Sequence, residues 1–151
     1  MTSHAGSHPI PVAVVLVPVG GGLLVIRRAI QPGNGKLALP GGVIAENETW
    51  QQGAAREVRA ETGITIDPAS LDPFWFTSTE PAPDRVLLFA VSAPPVSVPS
   101  FTSSSEASER GIIRGPDGLD DVFAFPLHAK AARRYFASRG VVSGPNAFTA
   151  R

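Results

Sequence analysis

Cysteine is absent from all 151 residues, and methionine, tyrosine and tryptophan occur once, once and twice. The missing thiols exclude disulfides, thiolate zinc sites and a cysteine nucleophile together, and they fit a reducing compartment, so a cytoplasmic location is expected. Charge of one sign is also lacking: 13 Lys and Arg balance 13 Asp and Glu. No global field is then available to hold a nucleic-acid duplex or an anionic membrane surface, and an anionic ligand must be met locally. The three histidines, His4, His8 and His128, are too scattered for a zinc cluster. An uninterrupted hydrophobic run is missing as well. Residues 9–26 are apolar but broken by Pro11, Pro18 and Gly20-Gly21-Gly22, with no basic region before them and Arg27-Arg28 directly after. That excludes a membrane span and a signal peptide, and two strands at 12–17 and 23–27 joined by a glycine turn explain the stretch better. Neither an internal repeat nor a G-x-S-x-G elbow occurs.

What is present suits one α/β domain. A chain of this length buries roughly 70% of the surface its unfolded form exposes, enough for one core. Residues 1–8 are small and polar, and residues 140–151 mix Gly, Ser, Pro and Asn without apolar periodicity, so both ends are expected to be flexible around a domain at 9–139. Short strands are expected at 37–39, 64–66, 74–77, 86–91 and 110–114, where β-branched and aromatic residues are bounded by Pro, Gly or Asp. Together they predict a mixed sheet. The Pro- and Ser-rich stretch 93–105 reads as a surface loop. A closing amphipathic helix is expected at 127–138, with Ala131, Tyr135 and Phe136 inward. Gly33-Asn34-Gly35-Lys36 lacks the glycine spacing and the hydroxyl residue of a phosphate loop and reads as a plain turn. Trp50, Trp75, Phe76 and Phe101 read as core sooner than as base-stacking platforms.

The chemistry centres on a helix that starts at Thr49 and stops at Gly63. Each helical residue advances by about 100°, so Glu61 stands one turn beyond Glu57 on the same face. Two like charges at that spacing are either solvated or bridged by a cation, and carboxylates favour a hard ion such as Mg²⁺. On the same side lies Gly53, an internal glycine that costs about 1 kcal/mol relative to Ala and is either tolerated or needed for a close approach.

The spacing around this pair is specific. Gly42 is followed after five residues by Glu48, and after seven more by Arg56-Glu57-Val58-Arg59-Ala60-Glu61-Thr62-Gly63-Ile64. This resembles the signature of the Nudix hydrolases, G-x5-E-x7-R-E-U-x-E-E-x-G-U with U aliphatic, and every specified position agrees except Ala60. The resemblance implies an α/β/α sandwich with a mixed β-sheet between helices. It implies one to three Mg²⁺ or Mn²⁺ ions held by Glu57, Glu61 and a backbone carbonyl of Gly41 or Gly42. By the same likeness Arg56 orients the catalytic carboxylates, Glu48 holds the loop onto the helix, and Gly63 ends it. A downstream acid often assists, for which Glu106 and Glu109 are the candidates, with Asp120 and Asp121 later. Arg27 and Arg28 alternate at a strand end, so one of them can reach a phosphate.

The resemblance further implies a small-molecule nucleotide substrate, with no nucleic-acid duplex and no membrane as partner and room for a homodimer. The reaction implied is hydrolysis of a phosphoanhydride in a nucleoside diphosphate linked to another group. The stretch from Arg27 to Gly42 is similar to members that cut ADP-ribose or related dinucleotides. Ala60 removes one expected ligand and leaves a second reading open, a catalytically weak or inactive sensor or partner-binding module that kept the fold.

Overall fold

The computed structural model describes residues 8–151, so the expectation of a flexible start, including His4, falls mostly outside the described residues. The architecture is an α/β/α sandwich built on two sheets. In the first, β1 (Ile10–Leu16) pairs antiparallel with β5 (Gly41–Val43) on one side and parallel with β7 (Arg85–Val91) on the other, and β6 (Asp72–Ser78) forms the far edge against β7. The second is antiparallel, ordered β2 (Pro18–Val19), β3 (Gly22–Arg28), β8 (Ala107–Ile113) and β9 (Thr149–Ala150), with β4 (Leu37–Ala38) also on β3.

Alternation along the strands divides the core into two layers. Ala13 and Val15 of β1 and Leu24 of β3 pack with Ala54 and Val58 of α1 (Trp50–Thr62). The intervening Val14 and Leu16, with Leu23 and Val25, pack with Ala131, Ala132, Tyr135 and Phe136 of α3 (Pro126–Ser138) and Leu119 of α2 (Leu119–Val122). The closing helix thus buries the residues expected of it.

Three expectations are corrected. The two arms around the glycine turn do not form one long hairpin: only Pro18 and Val19 pair with Leu23 and Gly22, while β1 turns away into the other sheet and takes β7 as its parallel neighbour. Residues 64–66 form no strand; Ile64 and Ile66 are buried under α1 in irregular chain. The end of the chain is docked rather than loose, since Thr149 pairs with Ile112, Ala150 with Gly111, and Phe148 packs against the core. Gly111 has no room for a Cβ beside the Phe148 ring, so this docking depends on glycine there. Among the described residues no helix is long and apolar enough to cross a membrane.

Candidate active site

Helix α1 begins as its sequence requires. The Thr49 hydroxyl accepts the Gln52 N–H at 3.1 Å, and the Gln52 side chain accepts the Thr49 N–H at 2.9 Å, a reciprocal cap. It ends at Gly63, in the left-handed region at φ 75°, whose N–H returns to the Arg59 carbonyl. Between these caps, one face of the helix meets the loop that follows β5.

Arg56 is the hub of that meeting. Its Nη2 donates to Glu48 Oε1 at 2.7 Å and to the Val43 carbonyl at 3.1 Å, its Nε donates to Glu48 Oε2 at 3.1 Å, and its Nη1 donates to Glu57 Oε1 at 2.5 Å. The fork therefore holds the loop, through Glu48 and Val43, and one oxygen of Glu57 at the same time. Glu48 closes the loop from its other side by accepting the Ala45 N–H at 2.6 Å. The Arg56 hydrogen bonds hold the Glu48 carboxyl below its usual value, and donating to Glu48 and Glu57 holds the Arg56 guanidinium above its own. A Cβ on Gly53 would stand 2.8 Å from Glu48 Oε1, so the internal glycine admits the carboxylate that the loop closure needs. At Gly42 a Cβ would overlap the carboxylate of Glu57, so glycine lets this side chain lie against the backbone of β5.

Glu61 reaches the same strand end from one turn further along. It is 9% exposed, and its Oε1 accepts the Gly41 N–H at 2.8 Å. Burial pushes its carboxyl up to about 8; the Gly41 hydrogen bond opposes this, and the charges of Glu57 and Glu106 add to it. Glu57, Glu61, Gly41 and Gly42 thus converge, whereas the side chain at Ala60 is exposed.

The remaining sequence candidates separate into two groups. Glu106, at the end of the 93–105 loop, lies close enough to act on Glu61, and Arg28 acts on the same carboxyl with the opposite sign. Glu109 is bonded instead to Arg27 at 2.5 Å, and Arg27 also donates to the Gly35 carbonyl and lies over the Phe148 ring. Asp120 pairs with Arg133 on the α3 side.

A cleft of about 820 Å³ opens beside this convergence. Gly41, Gly42, Glu61 and Arg28 line it at the carboxylates, Val12, Val14 and Leu87 line it from the sheet, and Leu39, Phe125, Pro126, Leu127 and His128 complete the lining. His128 carries no local sequence signal for this place. Its Nδ1 accepts the Leu39 N–H at 3.1 Å, and burial pushes its pKa down to about 3, so the ring is neutral and serves the backbone. Arg110 is equally silent in the sequence. Only 3% exposed, it donates to the carbonyls of Thr62, Pro99 and Arg151, binding the end of α1, the long loop and the docked end of the chain together.

The profile described as NUDIX domain matches residues 7–137, and this chain belongs to that family. A "MutT-like protein" of Streptomyces ambofaciens is 44% identical over 72 residues, a match that spans 48% of this chain and 45% of the relative, so less than half the length of that curated protein is covered. Among solved structures, a NUDIX hydrolase from Nitrosomonas europaea superposes with a TM-score of 0.76 at 23% identity, over 88% of this chain and 73% of the other. A bifunctional NMN adenylyltransferase/ADP ribose pyrophosphatase from Francisella tularensis, complexed with AMP and a manganese ion, gives 0.68 at 18% identity, over 87% of this chain and 42% of the other. At identities this low, the two superpositions show a shared fold alone.

Proposed function

We propose that this chain is a metal-dependent hydrolase that cleaves the phosphoanhydride of a nucleoside diphosphate linked to another group, with ADP-ribose or a related dinucleotide as the favoured substrate. The observation that carries the reading is the buried Glu61 carboxylate beside Glu57 at the glycine-lined head of an apolar cleft. A buried carboxylate whose neighbours are carboxylates has little reason to remain unless a cation joins them.

The donor set fits a hard divalent ion, Mg²⁺ or Mn²⁺. Among the described residues no cluster of three or more acidic or histidine side chains would hold a metal. Two carboxylates and a carbonyl of Gly41 or Gly42 leave positions open for water and phosphate oxygens, the arrangement Mg²⁺ favours. When bound, the ion neutralises charge on the phosphoryl oxygens and lowers the pKa of attacking water. The chain's own residues do the rest. Arg56 holds one oxygen of Glu57 and leaves the other beside Gly42. Glu61 is held at Gly41, Arg28 at the same end of the cleft meets a phosphate, and Glu106 is the downstream acid, because it is the candidate whose charge acts on Glu61. The cysteine-free composition supports a cytoplasmic setting.

Ala60 favours one rival reading, a nucleotide sensor that no longer turns over, since a carboxylate is missing from this helix. A panel of ADP-ribose, NADH, FAD, diadenosine polyphosphates and nucleoside triphosphates with Mg²⁺ or Mn²⁺ separates the two. Metal-dependent release of a nucleoside monophosphate supports the hydrolase, and nucleotide binding without turnover supports the sensor.

A further inference from the structure

The cleft continues well past the carboxylates, and the strand register measures how far. Gly41 stands opposite Val14 of β1, whereas Arg85 of β7 stands opposite Ile10. Four residues at about 3.3 Å and two strand spacings of about 4.8 Å put Arg85 roughly 16 Å from Gly41 across the sheet. Val12 and Leu87 lie side by side between these ends, since paired positions share a face, and Phe125 and Leu127 line the same cleft. The far rim is polar again, formed by Thr79, Glu80 and Arg85.

These three side chains are not equally available. Thr79 Oγ1 donates to the Ala82 carbonyl at 2.8 Å and is committed to its own turn. Arg85 bonds the adjacent Asp84 at 3.2 Å across an exposed pair, with 47% and 62% of the two side chains open to solvent. Arg85 therefore presents donors and Glu80 an acceptor at the lip of the cleft. Their charges, with that of Asp84, sum to −1, which disfavours a second phosphate at this end. An uncharged group with apolar faces and an edge carrying both donors and acceptors suits it. Nucleobases have that character: arginine pairs with base acceptors and glutamate accepts from base amino groups.

We infer that the far end of the cleft is a nucleobase-reading subsite in which Arg85 and Glu80 select the base of the nucleotide whose phosphates lie at Gly41 and Glu61. The inference rests on the nucleotide reading above, and binding tests it apart from turnover. Calorimetric titrations with AMP, GMP, CMP and UMP are compared with ribose 5-phosphate, in Mg²⁺, for the parent, Arg85→Met and Glu80→Gln. The subsite predicts that at least one monophosphate binds tenfold or more tighter than ribose 5-phosphate, and that one or both variants erase this advantage while leaving ribose 5-phosphate unchanged. The preferred base tells purine from pyrimidine. Equal binding of ribose 5-phosphate and all four monophosphates overturns the subsite, and so does a preference that both variants retain. A preference lost in the variants of a protein that cleaves no phosphoanhydride sustains the subsite and refutes the hydrolase. Turnover of a nucleotide substrate with KM unchanged in both variants refutes the subsite and leaves the hydrolase standing.

Discussion

Glu61 Oε1 accepts the Gly41 N–H at 2.8 Å, tying the last turn of α1 to the first residue of β5. One hydrogen bond therefore connects the helix that carries the carboxylates to the strand whose glycines line the same end of the cleft. It also holds an acidic group where burial and two neighbouring carboxylates disfavour its charge.

That placement predicts how the metal-free protein responds to pH. The Glu61 carboxyl is raised from 4.5 to about 8, so the folded state holds its proton more tightly than the unfolded chain. Its contribution to stability is full below about pH 4.5 and is lost as pH rises through about 8. In chelator, the melting temperature should carry a downward component between pH 5 and 8 that disappears in Glu61→Gln. Millimolar Mn²⁺ should remove the same component in the parent, because an ion that binds only the ionised folded site stabilises it by mass action. Thermal scans across this range check both halves.

His128 has the opposite sign. Its pKa falls to about 3 from 6.5, so the unfolded chain binds the proton more tightly, and the stability it lends above pH 6.5 is lost as pH falls toward 3. His128→Leu should lose about 1–3 kcal/mol at neutral pH by leaving the buried Leu39 N–H unpaired, yet show a shallower decline in acid. Urea unfolding at pH 7 and pH 5 measures the difference.

Arg56 tests positioning against stability. Its side chain is 44% exposed, so its ion pairs contribute little to folding. Lysine cannot reproduce the fork that joins Glu48, Val43 and Glu57. Arg56→Lys should therefore lose less than about 1 kcal/mol of stability while kcat falls at least tenfold, about 1.4 kcal/mol of barrier. Parallel denaturation and steady-state rates would show whether the two effects separate.

Ala60→Glu restores the carboxylate that the family signature expects. Without metal the variant should be a few tenths of a kcal/mol less stable, since Ala is the better helix former and like charges one turn apart repel. With Mn²⁺ it should gain more melting temperature than the parent and need less metal for half-maximal rate. A metal response no greater than the parent's would mean that position 60, exposed here, faces away from the ions.

Local spacing makes the site helix legible. The start at Thr49, the stop at Gly63 and the one-turn interval from Glu57 to Glu61 all act within a few residues, and the structure shows each of them, adding that Thr49 is the helix cap. Gly53 is ambiguous in the sequence, and the Glu48 carboxylate lying against it resolves the ambiguity. Longer-range pairings leave no comparable trace. The apolar arms around the glycine turn read as one hairpin because alternation cannot say that β1 takes β7, some 75 residues on, as its parallel partner. The docked end of the chain relies on the fit of Phe148 over Gly111, and His128 relies on a backbone N–H from Leu39, 89 residues earlier in the chain. Arg28 and Arg27 illustrate the boundary: alternation says that they diverge, and the structure shows Arg28 on the cleft.

The hydrolase reading is tested most directly by following phosphorus NMR of ADP-ribose with the parent and Glu57→Gln as Mg²⁺ is raised from zero to millimolar. Metal-dependent hydrolysis at Glu57 predicts no cleavage in chelator, AMP and ribose 5-phosphate appearing as metal is added, and a rate at least tenfold lower in the variant at every metal concentration. Cleavage that proceeds in chelator, or parent and variant rates that coincide at saturating metal, would contradict it.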